Sequence, residues 1–185
     1  MNRMMHLKTP LLPEDIEPMR SGDRVTISGT VYAARDAAHR RLLELIEAGK
    51  DLPIPIEGQL MYYVGPSPAP PGRVIGAAGP TTSYRMDPYT PKLLELGLKG
   101  MIGKGRRSIE VKEAMVRYGA IYMAATGGAG ALMARAIKEA RVVAYEDLGP
   151  EAIRKLTVEN LPAIVVNDAV GNDLYLEGRK KYQTG

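Results

Sequence analysis

The chain has 185 residues, with 25 Lys and Arg against 21 Asp and Glu, a formal charge of +4 and 45% hydrophobic residues, which describes one ordinary domain, mildly basic, with enough apolar content for a core and none of the traits of a disordered chain. Cys is absent and only His6 and His39 are present, so disulfides, thiolate nucleophiles and any zinc or iron–sulfur cluster ligated by this chain's own thiolates are excluded, and a metal the protein works with is expected to arrive on something else. No stretch approaches the roughly 20 apolar residues of a membrane-spanning helix, and Met1–Leu12 has neither a long apolar run nor a small-residue cleavage site, so the expected location is the cytoplasm.

Arg24–Tyr32 alternates Val25, Ile27, Gly29 and Val31 with polar residues and predicts a half-buried strand. From Ala37 the period changes. Ala38, Leu42, Leu45 and Ile46 recur at helical spacing, with Asp36 as the expected N-cap and Gly49 as the stop. Arg35 and Asp36 therefore stand where a strand hands over to a helix. Leu60–Val64 predicts a short strand, Gly65–Gly72 (GPSPAPPG) a proline-rich loop, and Arg73–Ala78 a further strand. Gly79–Pro91 (GPTTSYRMDPYTP) is too rich in Gly, Pro, Thr and Ser for a regular element, and long enough to suspect a function. Thr90 and Pro91 then open a helix through Leu96, ended by Gly97.

The second half alternates regularly. Gly100–Ile102 predicts a strand, Ser108–Tyr118 a capped helix ending at Gly119, and Ala120–Ala125 a buried strand. GGAGALMARAIKEA predicts a Gly-initiated helix from about Ala129, followed by a strand at Val142–Tyr145, a helix started by Pro150, and a strand at Ala163–Val166 before the NDAVGND turn. Gly178–Gly185 reads as a frayed tail. The pattern predicts a single α/β domain over residues 1–185, with βα units, a mixed central sheet and flanking helices.

Two nucleotide motifs fail on spacing. Gly97–Lys104 (GLKGMIGK) has one residue too many between its glycines for a phosphate loop, and Gly105 replaces the required Ser or Thr. In GGAGAL, counted from Gly128, Met133 stands where a dinucleotide fold wants Gly or Ala, which favours a Gly-rich turn that lets a helix pack closely. The basic runs Lys104–Arg107 and Arg179–Lys181 lack interleaved aromatics apart from Tyr182. Nucleic acid is therefore not expected as a partner, and Arg106, Arg107 and the tail read as solvated surface. Lys104 differs, because Gly103 and Gly105 let the backbone approach a ligand.

Arg35, the segment Gly79–Asp87 and Lys104 each follow a predicted strand, and such strand ends collect into a ligand crevice in α/β sheets. Three cations there suit a small substrate with two carboxylates. Structural salt bridges from Arg35 and Arg85 to Asp36 or Asp87, with Thr81 and Thr82 only capping turns, account for the same residues equally well.

AARDAAHRRL (33–42), GPTTSYRMDPYTP (79–91), IGKG (102–105), GGAGAL (127–132) and PAIVVND (162–168) resemble, in order, the signature blocks of the β-subunit of class I iron–sulfur fumarate hydratase and of the related L-tartrate dehydratase. The resemblance spans about Thr9–Tyr175. It implies a swivelling β/β/α fold and a hydro-lyase that hydrates fumarate to malate, a tricarboxylic acid cycle reaction. It also implies a [4Fe–4S] cluster held by the partner α-subunit and by no residue of this chain, so the chain by itself is expected to be inactive. A β–β dimer within a heterotetramer is implied as well. Residue by residue, Arg35, Arg85 and Lys104 would bind the substrate carboxylates and Thr81 would be the catalytic base. A Thr hydroxyl is a poor base, so neighbouring cations must stabilise its alkoxide, and Arg85 and Lys104 are the candidates. Tyr84 stands where relatives often have Gly. The resemblance carries no role for Asp36 or His39, which read as a cap and a packed or partly exposed ring. An L-tartrate dehydratase β-subunit, or a non-catalytic carboxylate-binding or assembly module of a larger enzyme, remain the alternatives.

Overall fold

In the computed structural model, residues 4–125 and 129–182 are described. β1 (Met4–Lys8), β2 (Arg24–Ala33), β3 (Leu60–Tyr62), β4 (Gly100–Gly103) and β5 (Ile121–Ala125) run parallel to one another in that order. The helices α2 (Asp36–Glu47), α3 (Thr90–Glu95) and α4 (Ile109–Tyr118) are the crossovers between β2 and β5, as parallel pairing requires. A short α1 (Pro13–Ile16) precedes β2. After β5 come α5 (Ala129–Ala136), β6 (Ile137–Ala144), the long β7 (Ile153–Asn167) and α6 (Leu174–Tyr182).

The sheet order is β1-β2-β3-β4-β5-β7-β6, and β7 also lies antiparallel along the whole of β2. The strands β2-β3-β4-β5-β7 thereby close into a five-stranded ring, with β1 and β6 as outer additions. Residues alternate between two cores. Val25, Ile27, Leu60, Tyr62, Ile102, Met123, Leu156 and Val165 pack together from all five ring strands, whereas Met61, Tyr63, Met101 and Tyr122 face α2, α3 and α4 with Leu42, Leu93 and Met115. Burial on both faces explains why β3 to β5 read as continuous apolar runs.

The predicted strand at Arg24, the Ser108 cap and the helix stops are present. Ser108 Oγ accepts from Val111 N–H, and Gly49 and Gly119 take left-handed φ of 63° at the ends of α2 and α4. Six expectations need correction. Asp36 is the first residue of α2 and Arg35 its N-cap, without a side-chain cap. Likewise Tyr89, not Thr90, precedes α3. Arg73–Ala78 forms no strand; it belongs to a loop held by the Tyr62 hydroxyl on the Ala78 carbonyl and by Ser67 N–H on the Ala77 carbonyl. The helix after β5 stops at Ala136, because Ile137–Ala144 finds β7 as a pairing partner; Gly127 and Gly128 lie outside the described residues. Pro150 starts no helix but sits in a 3₁₀ turn, Glu146–Glu151, and from Ile153 fifteen residues form β7, in which Asn160 at φ 51° marks a bulge opposite Ser28. The tail is helical through Tyr182, and residues 183–185 lie outside the described residues. Among the described residues no helix is long and apolar enough to cross a membrane.

Candidate active site

The carboxyl ends of β2, β3 and β4 lie side by side, and three of the four singled-out positions follow from how the chain leaves them. Arg35 comes two residues after β2, beside β3, where Ala34 N–H donates to the Tyr62 carbonyl. β3 leaves the sheet after Tyr62, and Thr81–Ser83 takes over its place along β4. Thr81 N–H donates to the Tyr63 carbonyl at 2.6 Å, Lys104 N–H to the Thr81 carbonyl at 3.3 Å and Ser83 N–H to the Lys104 carbonyl at 2.9 Å, with Thr82 bridged in parallel to Lys104. The threonines therefore reach the strand ends by substituting for β3, and not by following a strand of their own. A 3₁₀ turn, Ser83–Met86, continues the segment and carries Arg85. At the ordinary strand spacing, Arg35 and Lys104 are about 10 Å apart along the sheet edge.

Thr81 is half-buried, and Arg85 and Lys104 are exposed. Among the described residues neither the Arg85 guanidinium nor the Lys104 ammonium has a hydrogen bond or ion pair, so the salt bridge from Arg85 to Asp87 does not form. Arg35 does have acidic neighbours. Its Nη2 is 3.7 Å from Asp36 and its Nε 3.6 Å from Glu151, both beyond hydrogen-bond distance. Arg35 Nε, Asp36 Oδ1 and Glu151 Oε1 are buried and lack hydrogen-bond partners among the described residues. Gly65 presses on the Arg35 side chain, where a Cβ would come within 2.9 Å of its Cδ. The Arg35–Asp36 ion pair of the salt-bridge reading is therefore present, and with Glu151 it fixes the guanidinium.

Asp87 is instead the partner of Arg107, which is 5% exposed and not the solvated residue that its basic run predicts. Arg107 Nε donates to Asp87 Oδ1 at 2.7 Å and Nη2 to Thr90 Oγ1 at 2.8 Å, and its guanidinium lies 5.2 Å and 5.0 Å from the ring centroids of Tyr63 and Tyr122. Asp87 Oδ2 also accepts from Ser108 N–H. A buried charge so paired anchors the 3₁₀ turn of Arg85 to the start of α4.

His39 is fully buried. Its Nδ1 lies 2.7 Å from the Arg35 carbonyl, an acceptor, so Nδ1 carries the proton and donates it; Nε2 has no partner. Burial holds its pKa down at about 4, and the neutral ring stacks edge-on to Tyr63 at 5.4 Å. It is a packed ring, the first of the two settings its sequence context leaves open.

Sequence reasoning missed Ser83, Tyr122, Arg107 and Glu151. Tyr122 had a signal: a Tyr between Ile121 and Met123 in a strand with both faces buried must find a partner for its hydroxyl. Glu151 had none, since only the turn before β7 brings it to Arg35.

The family model described as "Fumarase C-terminus" matches residues 1–178. The chain is 40% identical over 179 residues to "Fumarate hydratase 1, mitochondrial" of Leishmania major, covering 93% of this chain and 32% of that protein. It is 43% identical over 154 residues to "Fumarate hydratase class I, anaerobic" of Escherichia coli, covering 82% and 28%. It thus spans about a third of the length of these curated relatives. "Putative L(+)-tartrate dehydratase subunit beta" of Methanocaldococcus jannaschii is 34% identical over 177 residues, covering 92% of this chain and 91% of that protein.

Proposed function

We infer the function from the premise that this chain belongs to the fumarase C-terminus family. It is the substrate-binding and proton-abstracting part of a two-subunit hydro-lyase that interconverts fumarate and malate in the cytoplasm. The observation that carries this reading is the pairing of Thr81 with Lys104 along β4, with Arg85 unpartnered on the next turn and Arg35 at the neighbouring strand end.

Three cations in an arc suit a dianionic substrate. Arg35, Arg85 and Lys104 take its two carboxylates, with guanidinium suited to bidentate grip. In the dehydration direction Thr81 Oγ1 removes the proton from the carbon next to one carboxylate. That carboxylate takes up charge as an aci-carboxylate, and the cations stabilise it more in the transition state than in the ground state. The Lys104 ammonium would favour the alkoxide, a role supported by the backbone bond between Lys104 and Thr81. An arc with two exposed cations does not exclude water, which supports a partner closing over it.

The family's [4Fe–4S] cluster does not fit this chain's donors. There is no Cys in the sequence, and among the described residues no group of three or more His, Cys, Asp or Glu could hold a metal ion. We assign the cluster and the departing hydroxyl to a partner α-subunit and route no step of this chain's chemistry through it. A swivelling β/β/α arrangement, one domain over residues 1–185 and a β–β dimer within a heterotetramer belong to the same proposal.

The test is anaerobic co-purification with the α-subunit and assay on fumarate, malate and L-tartrate. Thr81→Ala should keep malate binding and lose most turnover; a near wild-type rate removes Thr81 from the base role. L-tartrate as substrate is the second reading, favoured by the full-length match to the chain named as a tartrate dehydratase subunit beta. Carboxylate binding without turnover of any of the three would identify a non-catalytic module.

A further inference from the structure

Under Thr81 and Lys104 lies a polar layer that the reaction above does not use. Ser83 and Tyr122 are both 0% exposed. The Gly105 carbonyl can only accept, so the one proton of the Tyr122 hydroxyl goes to it, at 2.9 Å. Ser83 Oγ, 2.9 Å from the Tyr122 oxygen, must then be the donor in that contact. The direction of the relay is set: Ser83 to Tyr122 to Gly105. Burial pushes the Tyr122 phenol well above its ordinary range, so the relay keeps its protons at any working pH.

The relay joins two segments that the main chain joins only on one side. Lys104 is tied to Thr81 and Ser83 by its own N–H and carbonyl. Gly105, at φ 82°, is held by neither bond, and a glycine there leaves its peptide free to turn. The Tyr122 hydroxyl on the Gly105 carbonyl selects one orientation. The approach is tight: a Cβ on Gly103 would overlap Ser83 Oγ. Arg107, stacked on the Tyr122 ring and paired to Asp87, fixes the ring from its face.

We propose that Tyr122 is a positioning residue, acting through Ser83: its hydroxyl locks the Lys104–Gly105 turn to the Thr81–Ser83 segment and so sets the placement of the base against the carboxylate-binding ammonium. This rests on the roles given above to Thr81 and Lys104. Tyr122 is fully buried and acts only through them.

The test is Tyr122→Phe in the complex with the cluster-bearing α-subunit, at matched cluster content. Phe keeps the ring and its contact with Arg107. The expected result is a kcat about 10- to 100-fold lower with KM within about 3-fold, the size of loss that a misplaced reacting group produces. In a Thr81→Ala background the same change should have no further effect on kcat, and Ser83→Ala should give the same pattern without adding to Tyr122→Phe. An unchanged kcat, or an equal loss with and without Thr81, overturns the proposal. If the wild-type complex turns over none of the three substrates, the functional reading fails, and amide hydrogen exchange of the chain then decides the lock by itself. Tyr122→Phe should speed exchange at Lys104 about 10-fold or more while lowering the unfolding midpoint by no more than about 6 °C, the cost of the lost hydrogen bond; unaltered exchange overturns it.

Discussion

Asp87→Asn is the most demanding prediction, because it keeps the volume of the side chain and removes only its charge. Asp87 receives two donors, Arg107 Nε at 2.7 Å and Ser108 N–H at 2.8 Å, and the Arg107 side chain is 0% exposed against 11% for Asp87. Among the described residues no other carboxylate pairs with Arg107. Its remaining contacts are the Thr90 hydroxyl, the Met101 sulfur and the rings of Tyr63 and Tyr122. An Asn can offer its oxygen to one donor only, and its amide then faces the other. Removing one member of a buried pair costs about 3–5 kcal/mol, since the surviving charge stays buried and unpaired. For a chain of this length each kcal/mol lowers Tm by about 2–4 °C, which puts the fall at roughly 6–20 °C. Urea unfolding followed by circular dichroism measures it directly. Glu95→Gln, in the exposed Lys92–Glu95 pair, is the matched control and should cost less than about 1 kcal/mol. A loss below about 1 kcal/mol for Asp87→Asn would mean that Arg107 is solvated after all.

The buried His39 predicts acid sensitivity. Its pKa is about 4 in the fold against 6.5 when exposed, so between these values the unfolded chain binds more protons. The contribution is complete above pH 6.5 and is lost as pH falls towards about 4, at most about 3 kcal/mol. Stability of His39→Asn measured across that window should show a shallower pH slope, and an unchanged slope would refute the assignment. Arg85→Ala and Lys104→Ala should each leave unfolding free energy within about 0.5 kcal/mol, because neither side chain is paired, while raising KM for the dicarboxylate in the complex; a folding loss without a KM change would make them structural. Gly103→Ala should destabilise by about 1–3 kcal/mol through the overlap with Ser83. Gly178→Ala, with nothing within 4 Å in α6, should stabilise by about 0.5–1 kcal/mol in the same unfolding assay.

Elements whose signal is local were readable from the residues alone. The alternation at Arg24–Tyr32, the Ser108 cap and Gly119 of α4, and the glycine after α2 each depend on a few neighbouring side chains, and each is found where its pattern lies. Elements with a distant partner were not. Ile137–Ala140 reads as the end of a helix and only Val142–Tyr145 as a strand, but β7 offers a hydrogen-bonded edge to the whole of Ile137–Ala144. The stretch between Pro150 and Ala163 reads as a helix and its connection, yet Ile153–Leu161 is the first part of β7, with a bulge at Asn160, because β2 lies alongside throughout.

The sequence by itself determined the family blocks, the missing thiolates and the positions of Arg35, Thr81, Arg85 and Lys104 after strands or within an irregular segment. Only the tertiary structure decided that Thr81–Ser83 replaces β3 beside Lys104, that Arg107 is buried on Asp87 while Arg85 stays unpaired, and that Ser83 meets Tyr122. The physical reason is closure of the ring. Pairing β7 with both β2 and β5 fixes which faces are buried, and burial leaves each polar group only the partners that packing provides.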